Sequence, residues 1–148
     1  MKKIIILFLF QLVSMAYVSF GQDYGSDLVG FSCSITGKPT LLVTKMTKLA
    51  VNSNYKGLKT LLLYGNDGER YLSAALCEAL QARNIIVFTQ AEKNCIEKLY
   101  HSDAVVPICS GCTVFKQVSM SQLLNGISDD QIDTLTRKWA KILSEQKS

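Results

Sequence analysis

The one motif whose residue types and spacing suit chemistry is Cys109-Ser110-Gly111-Cys112. Two thiols separated by a small, flexible pair can reach each other, Gly111 permits a tight turn, and a dithiol of this spacing can have a lowered thiol pKa. Three chemistries follow from it: a structural disulfide, a thiol-exchange centre, or half of a metal site. A thioredoxin-like exchange centre requires the motif to open a helix after a strand, with a proline later on the sheet, but both prolines, Pro39 and Pro107, precede it. Zinc asks for four ligands, usually as two such pairs, and the chain has one pair. Haem attachment needs a histidine after the second cysteine, where Thr113 stands. The residues therefore favour a disulfide, formed within the motif between Cys109 and Cys112 or from the motif to Cys33. Neither a metal nor a cofactor is expected.

The other chemistry-bearing residues are scattered. Cys77 and Cys95 sit beside Leu76 and Ile96 at helical positions and read as small core residues. With five cysteines, at least one stays unpaired or bonds another molecule. His101, the sole histidine, stands at a helix end before Ser102-Asp103, where bonding to terminal carbonyls is its ordinary role. Gly-x-Ser-x-Gly, His-Glu-x-x-His and a glycine-rich phosphate loop are all missing. Asp129, Asp130 and Asp133 lack the spacing and glycine of a calcium loop and suit the start of a helix. Residues 28–66 hold Lys38, Lys45, Lys48, Lys56 and Lys59 with no acid at all. Lys45, Lys48, Lys56 and Lys59 thus form a candidate anion-binding patch, suited to a protein partner or an anionic surface; a solvated pair of helix faces is the competing reading.

The compartment decides how the cysteines are read. Lys2 and Lys3 precede an apolar run over 4–13, and Ser19-Phe20-Gly21 places small residues before Gln22. This is the pattern of a secretory signal peptide over 1–21, cleaved between Gly21 and Gln22, with Ser14-Met15-Ala16 as a second site. The expectation is an exported chain, periplasmic or secreted, in which 22–148 form a single domain with no membrane-spanning segment after processing. Removing 1–21 takes two of the 16 basic residues and none of the 12 acidic ones, leaving a charge near +2. Nothing in that balance indicates nucleic acid.

The elements that must position these residues read mostly as helices, about five of them. Gly37-Lys38-Pro39 opens the first, with Pro39 suited to the first helical position and Leu42, Val43, Met46, Leu49 and Ala50 on one face. Tyr55, Leu58, Leu61 and Leu62 repeat the spacing up to Gly65. After Asn66-Asp67-Gly68, a wide stripe runs through Tyr71, Leu72, Ala75, Leu76, Ala79 and Leu80. Thr89 with Glu92 is a capping box for the next helix. Residues 121–125 suit one short turn, and Ser128 with Gln131 is read as a second capping box. Beyond it Ile132, Leu135, Trp139, Ile142 and Leu143 line a last helix, with Trp139 filling the core. Tyr55 and Tyr71 are expected to pack with their hydroxyls near the surface.

Residues 28–34 suit a strand or an extended arm. The β-prone runs 85–88 and 104–108 alternate with the middle helices, so an α/β fold with a small parallel sheet is the alternative. The pair 55–65 and 67–83, joined by the tight Asn66-Asp67-Gly68 turn and carrying Arg70-Tyr71-Leu72-Ser73-Ala74-Ala75, resembles a helical hairpin of the HEAT or armadillo kind, over residues 39–83 of what reads as a bacterial-type exported protein. That resemblance implies a scaffold or binding surface rather than catalysis.

Overall fold

The structure, a computed structural model, describes residues 25–33, 35–111, 114–129 and 131–146. The expected leader over 1–21 lies outside them, as do Cys112 and Asp130. Six helices and one hairpin make up the described fold: α1 Leu41–Val51, α2 Tyr55–Tyr64, α3 Asp67–Ala82, α4 Gln90–Tyr100, β1 Val105–Ser110, β2 Val114–Ser119, α5 Met120–Asn125 and α6 Ile132–Glu145. None of the described helices is long and apolar enough to cross a membrane.

Side chains at the helix starts set these boundaries. Thr40 caps α1, its hydroxyl accepting from the Val43 N–H at 3.4 Å, so Pro39 lies before the cap and not at the first helical position. The hydroxyl offers the orphan N–H groups an acceptor, which a proline ring cannot. Asn54 caps α2 through the Gly57 N–H. Asn66 and Glu69 form a full capping box on α3, and Thr89 and Glu92 form the expected one on α4. The box read at Ser128 and Gln131 does not form. Gln131 is itself the residue before α6, in a left-handed conformation (φ 54°), with no side-chain cap bond.

The centre of the core is α3, which buries Tyr71, Leu72, Ala74, Leu76, Cys77 and Leu80. It packs against α1, α2, α5, α6 and β1. The last helix is rotated from its expected phase: α6 buries Ile132, Thr136, Ala140 and Leu143 and leaves Leu135 and Ile142 exposed. The cause is Trp139, expected to fill the core but only half-buried. Its indole N–H donates to Thr47 Oγ1 at 3.0 Å while its ring meets Phe31 edge-on, 5.5 Å between centroids, so the large side chain holds to the flank of α1 and small residues face α3.

The sheet among the described residues is a two-stranded antiparallel hairpin, not the parallel sheet of the alternative reading. β1 and β2 pair antiparallel from Val105↔Ser119 to Ser110↔Val114, with Gly111 at φ 66° in the turn. Residues 86–89 carry no regular structure, although Ile86 and Phe88 are buried and Val87 is exposed, because no strand among the described residues pairs with them. The run 28–33 is an extended arm along the other edge of β1. The Val29 N–H donates to the Pro107 carbonyl at 2.9 Å and the Val29 carbonyl accepts from Cys109 at 2.8 Å. Pro107, which has no N–H to offer, contributes only its carbonyl to that edge.

Candidate functional site

The arm explains which disulfide forms. Val29 bridges Ile108 and Cys33 bridges Gly111, so the arm runs parallel to β1 and delivers Cys33 to Cys109. The two are bonded, with Cα atoms 5.8 Å apart. Of the two expected pairings, the one to Cys33 is made; Cys109 is therefore not joined to Cys112 within the motif. Cys109 and Ser110 continue a strand, since β1 stays extended through Ser110. Cys109 is 1% exposed and Cys33 9%. Gly30 closes over the bond so tightly that an added Cβ would collide with Cys33 Sγ. Cys77 is buried and free, and burial pushes its thiol up to about 12. Cys95 is half-buried, its thiol donating to the Leu62 carbonyl.

The four lysines of the candidate patch do not act together. Lys45 Nζ lies 2.6 Å from Glu69 Oε1, while Glu69 Oε2 accepts the Asn66 N–H. Lys59 Nζ lies 2.9 Å from Glu92 Oε2, donates to the Val87 carbonyl at 2.6 Å and sits 6.0 Å from the Phe88 ring centre. Two lysines are thus spent on the capping-box acids of the following helices. Burial would raise both carboxyls, but the cap N–H groups and the lysines outweigh it and hold Glu69 and Glu92 below the usual carboxylate range. Lys48 and Lys56 remain exposed. Lys45 and Lys56 flank a groove of about 410 Å³ between α1 and α2, floored by Leu49 and Leu61.

A second concavity, not anticipated from the residue pattern, lies on the far side of α3. Tyr71, Ala75, Glu78 and Ala79 recur at helical spacing on one face of α3 and form its floor. Tyr100 closes one side from the end of α4, Leu123 and Leu124 another from α5, and Thr136, Arg137 and Ala140 complete it from α6. The cavity measures about 220 Å³. Its room comes from Ala75, Ala79 and Ala140, whose side chains stop at Cβ where four helices converge.

Polar groups line the cavity as well, Glu78 and Tyr100 half-buried and Arg137 exposed. The Tyr100 hydroxyl lies 3.1 Å from both Glu78 carboxylate oxygens, and Arg137 Nη2 donates to the Leu124 carbonyl at 2.9 Å. Burial raises the Glu78 carboxyl above its ordinary range, an effect that the Tyr100 hydrogen bond and the Arg137 charge only partly oppose. Tyr100 is pushed up to about 12 by burial and by the Glu78 carboxylate. Tyr71, expected to reach the surface with its hydroxyl, is 1% exposed and its phenol is shifted upward, chiefly by burial. The available signal was a glutamate inside an otherwise apolar stripe of α3, which reads as an ordinary helix edge until Tyr100 and Arg137 are seen beside it.

The remaining candidates stay structural. His101 ends α4 as its C-cap and is exposed. Asp133 lies in the first turn of α6, and Asp129 precedes that helix. Among the described residues no cluster of histidine, cysteine or acidic side chains is arranged to hold a metal ion. Comparison with protein-family models, with curated proteins and with solved structures finds no match.

Proposed function

We propose that this chain is an exported binding module that takes a small ligand into the cavity between α3 and α6. The observation that carries this reading is the combination of about 220 Å³ of room, walls of alanine and leucine, and three convergent polar side chains, Glu78, Tyr100 and Arg137. Ligand sites are commonly of this kind, an apolar concavity with a few placed polar groups. A cavity of about 150 Å³ already admits benzene, so the ligand is a ring or short branched chain with a polar end. Export is supported by the leader pattern of 1–21 and by the Cys33–Cys109 bond, which an oxidising compartment maintains.

Thiol-disulfide exchange through the Cys109/Cys112 pair is the second reading. The covering of Cys33 and Cys109 weighs against it, because exchange requires a sulfur that solvent thiols can reach. The lysine-flanked groove between α1 and α2 offers a protein or anionic partner a second, shallower surface.

Thermal melting of the purified protein against a panel of small polar molecules tests the ligand reading. Compounds with a compact apolar body and a polar end are expected to raise Tm, and Ala79→Val, which narrows the cavity, is expected to abolish the rise while circular dichroism stays native. A panel that leaves Tm unchanged, or shifts that survive Ala79→Val, would remove the cavity as the site.

A further inference from the structure

We propose that the cavity selects a small zwitterion, a molecule of the α-amino acid class, with its ammonium held by Glu78, its carboxylate by Arg137 and its side chain against Ala75, Ala79 and Leu123. This rests on the reading of the cavity as a ligand site and adds the chemistry it recognises.

Glu78 and Arg137 carry opposite charge and line the same small cavity, yet make no ion pair with each other. Each is held by a neutral partner instead. The Tyr100 hydroxyl engages both Glu78 oxygens, and the Leu124 carbonyl takes one Arg137 N–H. An ionised carboxylate has about four acceptor sites and a guanidinium has five N–H donors, so these contacts leave both groups with capacity to spare. A ligand carrying both signs completes both sets of bonds at once and relieves the burial penalty on Glu78.

Ligands of one sign satisfy only half of this pair. An amine without a carboxylate leaves the spare Arg137 donors unmet, and a carboxylate without an amine leaves the spare Glu78 acceptors unmet. The apolar wall bounds the side chain, since about 220 Å³ must hold both ionic ends as well. Branched aliphatic side chains fit that limit best.

Calorimetric titration of the purified protein with L-valine, L-leucine, isoamylamine and 4-methylpentanoate tests the proposal. The last two are leucine without its carboxylate and leucine without its amine. At least one amino acid is expected to bind, with both one-signed analogues at least tenfold weaker. Glu78→Gln is expected to weaken the amino acid at least tenfold while leaving 4-methylpentanoate no weaker, and Arg137→Met to show the converse with isoamylamine. The wild-type comparison stands even where a variant fails to fold. If the one-signed analogues bind as tightly as the amino acids, or none of the four binds while other compounds still raise Tm in an Ala79-dependent way, the zwitterion proposal is overturned and the ligand cavity remains. If nothing binds and no compound raises Tm, both fall.

Discussion

Lys59 Nζ stands 2.9 Å from Glu92 Oε2, the same oxygen that accepts the Thr89 N–H at 2.8 Å. One cation on α2 thereby fixes the first turn of α4, across 33 residues of sequence. Lys45 repeats the device on Glu69 at the start of α3. Lysines that read as a patch for an outside anion are in part internal ties between helices.

Cutting the ties should cost unequal amounts. Glu92 is nearly buried, so Lys59→Met leaves a carboxylate without its cation and is expected to destabilise by about 1–3 kcal/mol. The Lys45 side chain is half in solvent, and Lys45→Met is expected to cost under about 1 kcal/mol. Urea unfolding midpoints of the two variants measure the difference.

The same acids make stability depend on pH. A carboxyl held below its unfolded pKa stabilises the fold above the ordinary carboxylate range and loses that contribution as the pH falls through its folded value. Glu69 and Glu92 are of this kind, so the urea midpoint is expected to fall on acidification from pH 7 towards pH 3, and to fall less in the Lys59→Met variant.

Glu78 has the opposite sign. Its carboxyl is raised, so it favours the fold most at low pH and loses that contribution as the pH rises through its folded value. At pH 7 and without ligand, Glu78→Gln is expected to be as stable as the wild type or more so, measured by thermal melting. A residue that can be replaced at no cost to the fold, yet lines a cavity, fits a role in binding.

Packing and the disulfide give three further values. Leu76 is 0% exposed and Leu76→Ala is expected to cost about 2–5 kcal/mol, whereas Leu135, 43% exposed, should change stability by no more than about 0.5 kcal/mol. Cys33 and Cys109 close a long loop, with a sequence separation of 76, and Cys33→Ser is expected to cost about 2–4 kcal/mol. Denaturant unfolding of the oxidised protein and these variants checks all three.

The helical fold was legible where apolar spacing and capping coincided, as in α3 and α4. It was misread where a single large side chain outweighed the pattern. Trp139 bonded to Thr47 turns α6 so that Thr136 and Ala140 face inward and Leu135 does not. β2 was unforeseen because its residues 114–117 are exposed and carry little inward alternation. The cysteines pointed to a disulfide that includes Cys109, but the partner depends on the arm at Val29 lying along β1, a contact between distant segments. The cavity was hidden for the same reason: Glu78, Tyr100 and Arg137 come from three helices, and no local spacing joins them.

The most direct test of the central claim is the map of amide chemical-shift changes in the ¹⁵N-labelled protein as a binding amino acid is added. Saturable changes centred on Ala75, Glu78, Ala79, Leu123, Leu124 and Ala140, with residues around Lys45 and Lys56 unmoved, are the predicted result. Changes centred on the Lys45–Lys56 groove, or on the residues around Cys109, would contradict it.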